Sequence, residues 1–176
     1  FENIWVQPAA GDAGGALGAA LAAYHLFQGQ PRQVSGYDAM YGSYLGPEFP
    51  QEEIETRLKS SGAIFRTLED DVLINSTAEA LEEGKAVGWF QGRMEFGPRA
   101  LGSRSILGDP RSPEMQKTLN LRVKFRESFR PFAPSVLRED VADWFEFDAD
   151  SPYMLMVADV SESRRLGSPD MEKDLF

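Results

Sequence analysis

Apolar and polar positions along these 176 residues follow two periods, one of strands and one of helices. Residues 3–7 (NIWVQ) read as a short strand. The segment PAAGDAGGALGAALAAYHLF then passes through a Gly-rich turn into an Ala/Leu helix ending near Gly29. Residues 30–50 are rich in Gly, Pro and Tyr and read as a linker or long loop. From Gln51 the run QEEIETRLKSS predicts a helix, with acids in its first turn and Gly62 just past its end. AIFRTL (63–68) is strand-like. Ser76 and Glu79 have the spacing of a capping box and open a short helix stopped at Gly84. AVGWFQG (86–92) is a buried-type strand. Ser112-Pro113 has the form of an N-cap followed by a first-turn proline, for a helix through about Arg122. RPFAPSVLR (130–138) is extended, EDVADWFEF (139–147) a short acidic helix, and YMLMVADV (153–160) a final strand. The polar residues after it read as a loose terminus. This mixed order specifies an α/β or α+β fold, in two unequal parts joined near residues 30–50.

Composition narrows the class. A hydrophobic content of 42% is enough to fill a core. No apolar run approaches the roughly 18 residues that span a bilayer, and no charged-then-apolar leader opens the chain. The absence of Cys removes disulfides, thiolate metal sites and Cys nucleophiles together, and fits a cytoplasmic protein. The chain opens on a strand-like run without an initiator Met, as an excised piece of a longer protein does.

Charge changes the picture most. Residues 93–138 hold eight Arg and two Lys against four acids, a local +6 in a chain of −10, which leaves −16 for the rest. An acidic whole argues against general binding to nucleic acid or anionic membrane. A basic island inside it calls for a local anion. Arg supplies a permanently charged planar fork that grips carboxylate or phosphate through two bonds. Arg93, Arg99, Arg104 and Arg111 recur every five to seven residues, off any helical stripe, with Gly97-Pro98 and Gly102 imposing turns between them. Such turns aim several Arg side chains at one point, and Glu95 is placed to pair with one of them and fix its direction. Surface Arg–Glu pairing is the plainer explanation of the same pattern. In NLRVKFRESFRPFAPSV (120–136), Lys124, Arg126 and Arg130 alternate with Val123, Phe125 and Phe129, which predicts an apolar face toward a core and a cationic face open. Interleaved aromatic and basic residues also suit single-stranded nucleic acid. In GDAGGALGAA (11–20), a turn into a helix start offers backbone N–H groups to an anion, and Asp12 offers a carboxylate to a hard cation or to a hydroxyl proton. Helix capping by Asp12 is the plainer reading. His25, on the Ala/Leu helix, is a packing or surface residue, and the acids of 139–150 form a solvated helix and loop.

The stretches GRMEFGPRALGSRSILGDPR (92–111) and NLRVKFRESFRPFAPSV (120–136) resemble the C-terminal region of the NodU/CmcH-type O-carbamoyltransferases. The family shows G-R-x-E-x-G-P-R-A-L-G-x-R-S-I and N-x-x-x-K-x-R-E-x-F-R-P-F-A-P-S at these places. GDAGGALGAA and YLGPEFPQEEIE are similar as well, so the resemblance covers nearly the whole chain. Ser103 departs from it, standing where many members carry Asn.

The resemblance implies an enzyme with an N-terminal actin-like ATPase domain and a C-terminal YrdC/Sua5-like domain, a twisted sheet with helices around a basic cavity. Residues 1–30 would be the strand–turn–helix tail of the first, 31–50 a linker, and 51–176 the second, cut short at its end. ATP and carbamoyl phosphate would form carbamoyl adenylate at the YrdC-like part, for transfer to a hydroxyl of a small-molecule acceptor. Arg99, Arg104, Lys124 and Arg130 are the expected catalytic cations, and Arg93, Glu95, Ser105, Asn120 and Arg126 the expected substrate- and nucleotide-binding residues. Asp12 is the expected metal ligand, for Fe or Mg in the full-length protein; the family's His ligands lie upstream, and His25 does not match them. A homodimer through the exposed edge of the first strand is a further expectation. Two other readings stand beside this one: a non-catalytic RNA-binding YrdC-like module, and a sugar-kinase-like ATPase piece resting on GDAGG alone.

Overall fold

Val87–Phe90 (β1) and Arg104–Leu107 (β2) pair antiparallel in the computed structural model, which describes residues 4–166. Val87 faces Leu107 and Phe90 faces Arg104, and Gln91 N–H continues the ladder to Ser103 O at 3.1 Å. The first part of the basic segment, up to Ser103, is therefore the loop of one hairpin. The sequence shows β1 through its apolar run, whereas β2 reads as loop because Arg104 and Ser105 carry little strand preference.

The helices are α1 (Asp12–Ala22), α2 (Gln51–Ser60), α3 (Asp70–Glu82), α4 (Met115–Thr118) and α5 (Val141–Trp144). α1 continues as a wider turn over Ala23–Phe27, and Gly29 follows at φ 65°, where the expected end lies. α2 forms as predicted, with Glu52 and Glu53 in its first turn and Gly62 beyond its end at φ 71°. α3 stops before Gly84 as expected but starts earlier than the capping box at Ser76 suggests. Asp70 and Asp71 occupy its first turn, where carboxylates favour the positive helix end, and once nucleated there the helix runs through Ser76. α4 begins past Ser112-Pro113, since Met115 N–H bonds Ser112 O at 3.3 Å in a preceding turn; it then widens over Leu119–Val123.

Three predicted strands are corrected. Residues 4–7 and 63–68 form no strand, and 153–160 keeps a single bridge, Phe145 with Val160. Asn3, at the start of the first, lies outside the described residues. A strand exists through its ladder, and these segments build no ladder among the described residues. The observed architecture is thus mixed helix with one small antiparallel sheet, of the α+β kind. Among the described residues no helix is long and apolar enough to cross a membrane.

The chain packs as two units, Phe1–Phe132 and Ala133–Phe176. In the second, the Phe145–Val160 bridge is supported by Ser161 N–H on Trp144 O at 2.9 Å, and the Arg164 guanidinium lies 4.6 Å from the Trp144 ring centroid. In the first, the buried apolar side chains are Met40, Met115 and Leu119, a small core. Backbone bonding between loops supplements it. Residues 43–47 run along 94–96, with Phe96 N–H on Ser43 O (2.6 Å), Gly46 N–H on Met94 O (2.9 Å) and Met94 N–H on Pro47 O (2.9 Å). The long Gly/Pro/Tyr loop is therefore a wall of the hairpin loop.

The turn before α1 meets the same loop. Gly97 has φ 100°, and a Cβ built there would lie 2.4 Å from the Ala9 Cβ. Only glycine tolerates both the dihedral and the contact. Gly97→Ala is expected to lower the stability of the first unit by about 1–3 kcal/mol, read by denaturant unfolding.

Candidate functional site

The hairpin loop closes on Glu95. Glu95 is 4% exposed, and its carboxylate takes three bonds from residues 101–104 on the far side of the loop. Oε1 accepts from Leu101 N–H and Ser103 N–H, each at 2.7 Å, and Oε2 from Arg104 Nε at 2.8 Å. Burial pushes this carboxyl up. The Arg104 bond and the N–H groups of Leu101, Glu95 itself and Ser103 more than offset that, and hold it at about 2 against an ordinary 4.5. Arg104 Nη2 in turn donates to Gly97 O at 3.0 Å and Arg99 O at 3.2 Å. Ser105 Oγ accepts from Gly102 N–H at 3.1 Å, and Tyr44 Oη donates to Leu101 O at 2.9 Å.

The cations of residues 93–111 divide by partner. Arg93 donates to Gly46 O (2.7 Å) and Glu48 (3.2 Å), and it lines a cleft of about 360 Å³ with Tyr44, Gln91, Gly92 and Ser103. Arg111 grips Asp109 through Nε and Nη2 and holds that carboxyl below its ordinary range. Arg104 is engaged as described. The Arg99 side chain is exposed and has no hydrogen bond or ion pair among the described residues.

The second basic segment is organised by Asn120, which is 0% exposed. Its Nδ2 donates to Ser128 O (3.0 Å) and Arg130 O (2.8 Å), and its Oδ1 accepts from Arg126 Nε (2.7 Å). Arg126 stacks 5.0 Å from the Phe132 ring centroid, and Arg130 pairs with Glu127 at 2.9 Å. Lys124 is exposed and has no side-chain partner among the described residues. The expected alternation is corrected here: Phe125 and Phe129 are 84% and 72% exposed, because Phe125 sits at φ 50° and the segment turns instead of running as a strand.

Asp12 is exposed in the first turn of α1, whose N-cap is Gly11, so it does not cap the helix. Gly14 N–H and Gly15 N–H are bonded to Ala9 O and Gly11 O. Among the described residues no group of three or more His, Cys, Asp or Glu gathers to hold a metal, at Asp12 or elsewhere. His25 Nδ1 lies 2.9 Å from Gln30 O at the end of the same helical run.

The hairpin loop thus brings together Arg93, Glu95, Arg99, Arg104 and Ser105, while Asn120, Lys124, Arg126 and Arg130 form a second cluster. Sequence reasoning missed Tyr44, Glu48 and the amides of Leu101 and Ser103. Tyr44 and Glu48 sit far away along the chain, and backbone donors leave no mark in the residue types.

The family model described as "Carbamoyltransferase C-terminus" matches residues 78–172. The chain is 58% identical to an uncharacterised protein of Synechocystis, over 100% of its own length and 29% of the relative's. It is 44% identical to nodulation protein NolNO of Sinorhizobium fredii, over 94% of this chain and 24% of that one. It is 37% identical to the 3'-hydroxymethylcephem-O-carbamoyltransferase of Amycolatopsis lactamdurans, over 94% and 29%. The chain therefore spans less than a third of the length of these relatives.

Because the Glu95 carboxyl titrates lower when folded than its ordinary 4.5, its contribution to stability is complete above that value and is lost as pH falls toward about 2. Denaturant unfolding of the wild type and Glu95→Gln is expected to differ most above pH 4.5 and to converge across that window. Asn120→Ala strands Arg126 Nε and the Ser128 carbonyl, while Arg130 O keeps Gln116 Nε2, and is expected to cost about 1–3 kcal/mol in the same assay.

Proposed function

Since the chain belongs to the carbamoyltransferase C-terminus family, we propose that it carries the substrate-activating part of an ATP-dependent O-carbamoyltransferase. On this reading residues 51–176 belong to a YrdC-like domain that binds ATP and carbamoyl phosphate. Residues 1–30 belong to the tail of an actin-like domain, and 31–50 join the two. Water cleaves carbamoyl phosphate to carbamate and phosphate. A carbamate oxygen then attacks the α-phosphorus of ATP, pyrophosphate leaves, and carbamoyl adenylate results. The carbamoyl group passes to an acceptor hydroxyl, which loses its proton, and AMP is released.

The observation that carries this reading is the state of Arg99. It stands exposed on a braced loop without a neutralising partner among the described residues, as an anion contact requires. Charge builds on phosphoryl oxygens and on the leaving pyrophosphate during adenylate formation. A fixed cation stabilises it without reorganising, at about 3 kcal/mol per well-placed contact. Lys124 is the second exposed cation of the expected catalytic set without a side-chain partner. Arg93, Arg126 and Arg130 act from positions fixed by protein oxygens, and Arg104, Ser105 and Asn120 hold the loops. Relatives bearing nodulation and cephem carbamoyltransferase names support the reaction class. A cytoplasmic location accords with nucleotide and carbamoyl phosphate as substrates.

A divalent metal belongs to the actin-like domain on this reading, with Asp12 as one of its carboxylates. The residues described here do not by themselves make up a metal site, so no step is assigned to it.

Calorimetric titration of the chain with ATP and with carbamoyl phosphate tests the proposal. Saturable binding is expected, weakened about 10- to 100-fold in Arg99→Ala, the size of one lost charge-assisted bond. Unchanged affinity in a folded Arg99→Ala protein removes Arg99 from the site.

A further inference from the structure

Of the four Arg residues between 93 and 111, only Arg104 joins a mostly covered guanidinium to a buried carboxylate; Asp109, the partner of Arg111, is buried as well, but the Arg111 guanidinium is not. Arg93 and Arg111 pair with Glu48 and Asp109 through guanidinium groups that are themselves largely exposed. Arg104 is mostly covered, the Glu95 side chain wholly so, and the pair is wired to the backbone around it. Glu95 takes the amides of Leu101 and Ser103, and Arg104 Nη2 takes the carbonyls of Gly97 and of Arg99 itself. Residues 97, 99, 101 and 103 are thus all tied to one ion pair.

We infer that Glu95 and Arg104 are a positioning brace and not ligand contacts, and that the brace holds residues 97–103 in the shape that leaves Arg99 exposed to an incoming anion. This assigns Arg104 a role different from the direct cation role expected of it from the sequence, and it rests on the anion-site reading above. An anion approaching Arg104 meets a guanidinium already neutralised by Glu95, with a carboxylate immediately behind it. Arg99 presents its full charge. Without the carboxylate, the Leu101 and Ser103 amides and the Arg104 fork lose their common acceptor. Nothing else described holds Ser103 N–H, and the Arg99 carbonyl is tied only through the same guanidinium. A carboxylate shared by two amides and an Arg is difficult to replace even by the isosteric amide. Gln offers one acceptor oxygen where Glu offers two, and its NH2 group would face the Arg104 fork.

Arginine-directed dicarbonyl labelling of the folded full chain, read by peptide mass spectrometry, tests the brace without any ligand. In the wild type Arg99 is expected to label at least about tenfold faster than Arg104, since labelling Arg104 requires its charge-assisted bonds to open. In Glu95→Gln the Arg104 rate is expected to rise toward that of Arg99. Equal labelling of the two in the wild type overturns the brace, whether or not the variant folds. Arg104→Lys supplies the second variant. It keeps the charge and loses the fork, so it is expected to weaken carbamoyl phosphate binding about tenfold, as Glu95→Gln does, with the Arg99 side chain still present. Full affinity in folded Arg104→Lys and Glu95→Gln proteins also overturns it. Adding carbamoyl phosphate or ATP separates the brace from the site reading. Protection of Arg99 supports both. If Arg99 goes unprotected while Arg104 is shielded in the wild type and released in Glu95→Gln, the brace is upheld and the proposed substrate site is overturned.

Discussion

A carboxylate removed from water must be met by donors on nearly every side, or it becomes the most costly group in its neighbourhood. At Glu95 the donors are two amides and the Nε of Arg104, contributed by residues 101–104. That demand shapes the loop: once the side chain is inside, the backbone from Gly97 to Ser103 must fold back to reach it. Gly97 permits the return through its positive φ and its contact with Ala9, and residues 43–47 hold the outer side through backbone bonds. The turn ahead of α1, the long Gly/Pro/Tyr loop and the β1–β2 hairpin come together around one ion pair.

Asn120 solves the same problem without charge. A buried amide has two N–H donors and an oxygen acceptor, and here both Nδ2 bonds and the Oδ1 bond are made. The first unit buries few large apolar side chains, so loop geometry is carried by these polar clamps more than by packing. Clamps of this kind are directional. They fix the backbone on which Arg99 and Lys124 stand, and their members are coupled.

The elements legible in the sequence are those whose causes are local. α2 followed from acids at its start and Gly62 after its end, and β1 from its apolar run. The basic island, and Glu95 as the residue that orients an Arg, were legible from charge and turn chemistry. What depended on distant partners was not. Residues 4–7 and 63–68 have strand composition but no ladder, and β2 has a ladder with little strand composition. Phe125 and Phe129 alternate with cations as strand residues do, yet Asn120 pulls their segment into a turn and leaves both rings outside. The start of α3 lay in two Asp residues that compete with a better-known capping signal downstream.

Charge poses the remaining question, because a chain of −10 is a poor host for a polyanion if only the total counts. The total does not act at the site. At physiological ionic strength exposed charges are screened over about 8 Å, so an anion at the hairpin loop responds to its immediate neighbours. There, the paired cations contribute little: Arg93 with Glu48, Arg104 with Glu95 and Arg111 with Asp109 each sum to nearly zero a short distance away. Arg99 remains the uncompensated charge among the four. A count of +6 over residues 93–138 therefore overstates the number of attracting groups and understates their selectivity. On the proposed anion-site reading, the neutralised pairs set geometry, and the exposed unpaired cations, Arg99 here and Lys124 in the second cluster, set affinity.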